Sequence, residues 1–266
     1  MLPRRQLRSS KAGGGRTLVL AGSRGMYGAG VLAATAAARV GAGYVTLLTE
    51  GAQGLGLLHP DFLTCQDSGL GRALAGATAV ACGPGLGTQA RAQKVFAKLL
   101  MVAPKRVVLD ADGLNLLSKK RRAPKLPKNW VLTPHEGEMA RLLDVTRNEI
   151  SANRQQAVRA AQKKFSCVVL LKGAGTLVCD GRRLVKINSG NAALAKAGTG
   201  DVLTGMIVGL LSQGLEGFEA ACLGAYLHGL VADRWIQSGR DQLSLMPSDL
   251  LNDLPSALKA LRSRQT

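Results

Sequence analysis

Residues 188–205, NSGNAALAKAGTGDVLTG, carry the strongest chemical signal in the chain. Gly198-Thr199-Gly200 runs straight into Asp201 and an apolar, helix-like segment. A glycine-rich loop at a helix start aims free backbone N–H groups and the positive helix end at one place, which suits phosphate. Asp201 beside it could take the proton of a hydroxyl attacking that phosphate, or hold the hydroxyl in line. It could equally be a plain N-cap, a position that favours Asp.

Five other loops have reactive composition. In LKGAGT (171–176), Gly173 and Gly175 let a nucleotide approach closely, and Lys172 offers a point charge for phosphate. The alternative is a plain turn, and Walker A spacing is absent. In LTPHEGE (132–138), His135 stands beside Glu136 and Glu138. Ligand contact and an acidic first helical turn are both open readings. In LDADGLN (109–115), Asp110 and Asp112 could hold Mg²⁺ through water, or Asp112 could cap a helix. AGSRGMYGA (21–29) and CGPGLG (82–87) leave room for a flat or phosphate-bearing ligand, without the dinucleotide fingerprint. His59 and His228 stand alone and read as structural.

These loops need a frame that brings them together. Short apolar runs over 17–21, 44–49, 77–82, 106–110, 130–132 and 167–172 read as strands. Helix-like segments over 30–39, 88–101, 112–118, 136–143 and 147–164 alternate with them. That alternation predicts a largely parallel sheet with helices on both faces. Thr146 and Glu149 form a capping-box signature for the last of these helices. Asp180-Gly181 between 176–179 and 183–187 predicts a hairpin. Helices follow from about Asp201, over 218–236 and over 248–262. In such sheets ligands bind outside the carboxyl ends of the strands, where these loops lie.

Composition sets limits on this frame. The chain has 266 residues, 46% of them apolar, which excludes global disorder. Its apolar stretches are short and broken by turns, so no membrane span is expected. Five cysteines without a CxxC read as reduced thiols in a cytoplasmic protein. The formal charge is +18, with Arg4, Arg5, Arg8, Lys11 and Arg16 at the start and a second basic block over 119–128. A nucleic-acid partner is not expected, because no aromatic residues interleave with these blocks. A basic tail over 1–16 and a solvated loop are the simpler reading. The domain expectation is one unit over 17–266.

In this order, AGSRGMYGAG, ACGPGLG, LDADGLNLL, LTPHEGEMARLL, LLKGAGTLV, AGTGDVLTGMIVGLL and AYLHGLVAD resemble the ADP/ATP-dependent NAD(P)H-hydrate dehydratases, bacterial stand-alone type. The resemblance implies a ribokinase-like three-layer α/β sandwich. It also implies dehydration of hydrated NADH or NADPH, S form: a nucleotide phosphorylates the ring hydroxyl, and phosphate then leaves. It makes Asp201 the base, with Gly198, Thr199 and Gly200 as anion hole. It makes Lys172, Gly173, Ala174, Gly175, Thr176 and Asn191 to Gly200 the nucleotide site. Ala29, Gly85, His135, Glu136, Gly137, Glu138 and Arg141 then line the hydrated-cofactor site, with Asp110 and Asn115 in support. The AGTGDVL form implies ADP as co-substrate before ATP, with Mg²⁺. A separate epimerase and a homo-oligomer are expected partners.

The sequence departs from that family's pattern in places. Glu136 stands where Pro is common, Ala193 where Gly is common, and Lys196 is an added charge beside the nucleotide loop. The alternative function is a small-molecule alcohol kinase of the same superfamily, using the same anion hole and Asp201. A basic nucleic-acid-binding protein ranks behind both.

Overall fold

The computed structural model describes residues 2–3 and 11–263. Nine strands form one sheet in the order β3-β2-β1-β4-β5-β6-β7-β8-β9. β1 (Arg16–Leu20), β2 (Tyr44–Leu48), β3 (Leu63–Cys65), β4 (Ala79–Cys82), β5 (Val107–Leu109), β6 (Trp130–Leu132) and β7 (Val168–Leu171) pair in parallel. β8 (Leu177–Cys179) and β9 (Leu184–Lys186) add an antiparallel hairpin at one edge, turning at Asp180-Gly181 as expected. The chain steps from β1 outward to β2 and β3, then returns to β4 on the other side of β1. That reversal opens a crevice at the carboxyl ends of the strands.

Alternate strand residues feed two cores. Val19, Ala81, Val108, Val131 and Leu170 face a layer made by α1 (Tyr27–Arg39), α9 (Thr199–Ser212), α10 (Gly217–Gln237) and α11 (Pro247–Ser263). Leu18, Val80, Leu109, Leu132 and Val169 face the opposite layer. It contains α3 (Leu70–Gly76), α4 (Ala90–Val102), α5 (Ala111–Ser118), α6 (Glu136–Leu143), α7 (Arg147–Ala152) and α8 (Arg154–Phe165). The result is the expected three-layer α/β sandwich. Small residues bring α9 onto α1. A Cβ at Gly205 would stand 2.1 Å from the Ala33 carbonyl oxygen, so only glycine permits that approach.

Three expectations change. A single helix over 147–164 is two, because Asn153 breaks it and its side chain accepts from the Gln156 amide to start α8. Residues 52–76 hold α2 (Ala52–Leu58), β3 and α3, none of which the sequence pattern revealed. The helix expected from about Asp201 begins at Thr199. The Thr146–Glu149 capping box is present at α7.

The described ends of the first basic segment are anchored, while the second block is an exposed loop, as expected, with one tether. Arg4, Arg5 and Arg8 lie outside the described residues. Arg16 opens β1, Leu2 is buried in the core, and the Pro3 carbonyl accepts from Arg262 at 2.7 Å. In the second block, the Lys125 ammonium donates to the Lys163 carbonyl at 2.8 Å, at the negative end of α8. No described helix is long and apolar enough to cross a membrane.

Candidate active site

The site is built around the start of α9. Gly198 is its N-cap at φ +93°, a left-handed conformation that residues with a Cβ adopt at a cost. No side chain caps the helix. Thr199 is turned inward: its amide donates to the Lys196 carbonyl at 3.3 Å. Its hydroxyl lies 2.9 Å from the carbonyls of both Leu194 and Lys196. Of the expected anion hole Gly198, Thr199 and Gly200, helix geometry leaves the Gly200 amide open, and the Asp201 amide, not expected there, joins it. Asp201 is the third residue of the helix, not its cap.

Facing it are residues delivered by three adjacent strands. Asp110 follows β5, Glu138 lies in the first turn of α6 after β6, and Lys172 follows β7. Asp110 is buried; its Oδ1 accepts from Lys172 Nζ at 2.7 Å and its Oδ2 from the Thr204 hydroxyl at 2.7 Å. Lys172 Nζ is 3.8 Å from Glu138 Oε2. Burial works against the Lys172 ammonium, but Asp110 and Glu138 outweigh it and hold its pKa above the ordinary lysine value. Burial pushes the Asp201 carboxyl up to about 7, and Asp110 adds to this while Lys172 opposes it. Burial raises Glu138 as well, against the pull of Lys172. A carboxylate poised near neutrality beside a lysine and open amides is suited to take a proton next to an anion.

The substrate-side residues fall into two groups. Ala29 lies on α1 against Gly85, whose Cβ would stand 3.1 Å from that of Ala29. Beside them is a hollow of about 280 Å³ lined by Ser23, Arg24, Met26, Glu50, Leu86 and Gln89. A larger hollow of about 640 Å³ between α3 and α4 contains none of the residues gathered at α9. His135 is the N-cap of α6. Its Nδ1 accepts from the amides of Gly137 and Glu138 at 3.0 and 3.3 Å, and Glu138 Oε2 accepts from the His135 amide at 2.8 Å. Burial, with Lys172 and Arg141 adding, holds His135 below the usual histidine range, which keeps Nδ1 free to accept. Glu136 joins Arg154 at 2.6 Å and Ser151 at 2.9 Å.

Arg141 and Asn115 belong to a chain of bonds linking three loops. Arg141 Nε donates to Asn115 Oδ1 at 3.0 Å, Asn115 Nδ2 donates to Asp112 Oδ1 at 3.1 Å, and Asp112 Oδ2 accepts from the Gly87 amide at 2.8 Å. Asp110 and Asp112 thus spend their oxygens on protein donors. Among the described residues no three His, Cys, Asp or Glu side chains gather as a metal site.

The nucleotide-side loops lie next to this cluster. Lys172 Nζ is 3.5 Å from where a Gly200 Cβ would sit, so the 172–176 loop meets α9 directly. Gly173, Ala174 and Gly175 continue the loop to Thr176, whose hydroxyl donates back to the Gly173 carbonyl at 3.2 Å. Asn191 caps a short turn through the Ala193 amide. Ala193 is buried and not among the residues with positive φ, so a Cβ is tolerated there. The Lys196 ammonium donates to the Leu243 carbonyl at 2.6 Å, tying its loop to residues before α11.

Four residues to which the sequence reading gave no place at the site hold these pieces in place. Thr204 and Arg154 do so through the contacts above. Asp233 accepts from the Gly190 amide at 2.9 Å and Asn191 Nδ2 at 3.0 Å. His228 is buried against the Thr199 carbonyl at 2.9 Å. Burial lowers its pKa to about 4, so it is neutral, with Nε2 the donor. It is structural, as expected, but at the site. Asp233 and His228 stand in AYLHGLVAD at i and i+5 on α10, a spacing that places no obvious motif.

Comparison with known proteins identifies the family. The family model described as NAD(P)H-hydrate dehydratase matches residues 17–256. An ADP-dependent (S)-NAD(P)H-hydrate dehydratase from Neisseria meningitidis is 42% identical over 271 residues, covering 97% of this chain and 88% of that protein. A bifunctional NAD(P)H-hydrate repair enzyme from Coxiella burnetii is 40% identical over 261 residues, covering 96% of this chain and 52% of that protein. The chain spans about half the length of the bifunctional relatives it matches. The solved structure of ADP/ATP-dependent NAD(P)H-hydrate dehydratase from Bacillus subtilis, co-crystallized with ATP/Mg²⁺, aligns with a TM-score of 0.87 at 33% identity, covering 97% of this chain and 94% of that one. The chain belongs to the NAD(P)H-hydrate dehydratase family.

Proposed function

We propose that this family member restores NADH and NADPH from their hydrates, acting on the S form with ADP as phosphoryl donor. One observation carries the reading: a carboxylate, Asp201, pushed up to about 7 at an open helix start beside Lys172. Asp201 takes the proton of the ring hydroxyl. The hydroxyl oxygen bonds to the β-phosphorus as the bridging P–O bond breaks and AMP leaves. Phosphate then departs with the C–O electron pair, the neighbouring carbon loses a proton, and the double bond returns. Hydroxide is a poor leaving group and phosphate a good one, so the work is positioning and charge stabilisation.

The amides of Gly200 and Asp201, with Lys172, receive the transferred phosphoryl group. Gly198 sets their direction and Thr199 braces the turn. Gly173, Ala174, Gly175, Thr176 and Asn191 hold the nucleotide. Ala29, Gly85, His135, Gly137, Glu138 and Arg141 shape the hydrated-cofactor side, supported by Asp110 through Lys172 and by Asn115 through Arg141. Mg²⁺ bound to the nucleotide would offset phosphate charge beside Lys172. One domain over 17–266 does this in the cytoplasm, as a homo-oligomer, with a separate epimerase supplying the S form.

The test is turnover of hydrated NADH with Mg²⁺ and either ADP or ATP, read as recovery of reduced-nicotinamide absorbance. Recovery with ADP and release of AMP and phosphate is the expected result. Recovery with ATP alone would overturn the donor. A stable phosphate ester on a small alcohol, with no recovery, would make the chain a kinase.

A further inference from the structure

Glu136 stands two residues before the buried Glu138, yet its carboxylate joins α7 and α8 instead of the Lys172 cluster. Its Oε1 accepts from Arg154 Nη1 at 2.6 Å, its Oε2 accepts from the Ser151 hydroxyl at 2.9 Å, and Arg147 Nε is 3.6 Å away. The Ser151 hydroxyl, with Arg154 and Arg147, outweighs burial and holds the Glu136 carboxyl below the usual range. The other edge of the Arg154 guanidinium reaches the opposite way. Nη2 donates to the carbonyls of Leu171 and Lys172 at 3.4 and 3.3 Å. A Cβ at Gly173 would stand 2.6 Å from Nη1, so the guanidinium also packs against that residue.

Both side chains are only 20% exposed. A planar fork held by a carboxylate on one side keeps little rotational freedom. Arg154 is thereby fixed from α6 and fixes the peptide that bears Lys172. The Lys172 amide completes the attachment by donating to the Pro134 carbonyl at 2.8 Å, in the same β6–α6 loop. The segment that starts the 172–176 loop is held from its flank by residues that touch neither Asp201 nor the open amides of α9.

We propose that Glu136 and Arg154 are positioning residues for the nucleotide: Glu136 sets the Arg154 guanidinium, and Arg154 sets the Lys172–Gly173 peptide. This assignment rests on the reading that the 172–176 loop holds a nucleotide. It gives Glu136 a role on the nucleotide side and removes it from the lining of the hydrated-cofactor site.

The experiment compares Glu136→Gln, Arg154→Lys and the double variant with the unaltered chain. The readouts are ADP affinity by calorimetry, KM for ADP and for hydrated NADH, and hydrogen exchange of peptides covering 171–176 without ligand. Loss of two carbonyl bonds in Arg154→Lys raises the Kd for ADP about tenfold, and Glu136→Gln raises it about fivefold. The double variant is no worse than Arg154→Lys alone, because Glu136 acts through Arg154. KM for hydrated NADH stays within about twofold throughout, and exchange of 171–176 quickens in each variant. Additive losses in the double variant, or a rise in KM for hydrated NADH with Glu136→Gln, would overturn the assignment. Absence of ADP binding in the unaltered chain would sink the nucleotide reading itself. Exchange then still decides whether the tie sets the segment: unchanged exchange breaks it, and quickened exchange upholds it.

Discussion

α6, α7 and α9 each carry an acidic residue at their third position, and the three acids have different fates. Glu138 and Glu149 reach back to accept from the amides of His135 and Thr146, both at 2.8 Å, closing capping boxes. Asp201 has glycine at its cap, no box to close, and a neighbourhood of Asp110, Lys172 and Glu138. The Thr146 hydroxyl and amide hold Glu149 below the usual carboxyl range, whereas burial pushes Asp201 up to about 7. One position in a helix can therefore finish the helix or leave its start open for a ligand. The residue at the cap decides which. At α6 and α7 the His135 and Thr146 side chains close the end, and at α9 a left-handed glycine leaves it free.

Replacing Asp201 should separate the open start from the closed ones most sharply. Asp201→Ala lowers turnover by about a thousandfold or more while ADP affinity changes little. Near-normal turnover in a steady-state assay would remove Asp201 as the base. In the unaltered chain the base is protonated below its pKa and ionised above it, so kcat rises with pH through about 7 and then levels. A flat profile between pH 5.5 and 8.5 would show that another group takes the proton.

Gly198→Ala tests the cap itself. Holding alanine at a positive φ costs about 1–2 kcal/mol, and the strain falls on the amides that meet phosphate. Weaker ADP binding and a lower Tm should appear together, measured by calorimetry and thermal melts. A variant that binds ADP normally would deny the left-handed glycine its part in the site. The smallest effect belongs to a closed start. Thr146→Ala costs about 1 kcal/mol, or about 2–4 °C in Tm, and leaves kcat unchanged. A change in kcat there would mean that the closed ends also serve chemistry.

The parallel strands were legible because each is a short apolar run ended by a Gly- or Asp-bearing loop. β3 was not, since it has three residues at the sheet edge, with Leu63 exposed. The break at Asn153 was hidden because the residues around it keep helical composition on both sides. Asp201, Lys172 and the glycine loop were readable from local chemistry alone. The residues that hold them were not. Thr204 meets Asp110 across 94 positions, and Asp233 meets Asn191 across 42. Single side chains at such separations leave no pattern in one sequence. The family resemblance put Glu136 at the hydrated-cofactor site, and Lys196 stood as an added charge beside the nucleotide loop; the folded chain turns each toward a neighbouring segment.

α9 covers β1, β4 and β5 and packs on α1. Those partners are synthesised long before residue 199. A growing chain that has released its first four parallel strands thus carries an uncovered apolar face until its last quarter emerges from the ribosome. During that interval the uncovered apolar face favours misassociation. Because the same late helix brings Asp201 and the open amides, partly made or truncated chains have no assembled catalytic centre, and activity appears only when the sheet's exposed face is closed.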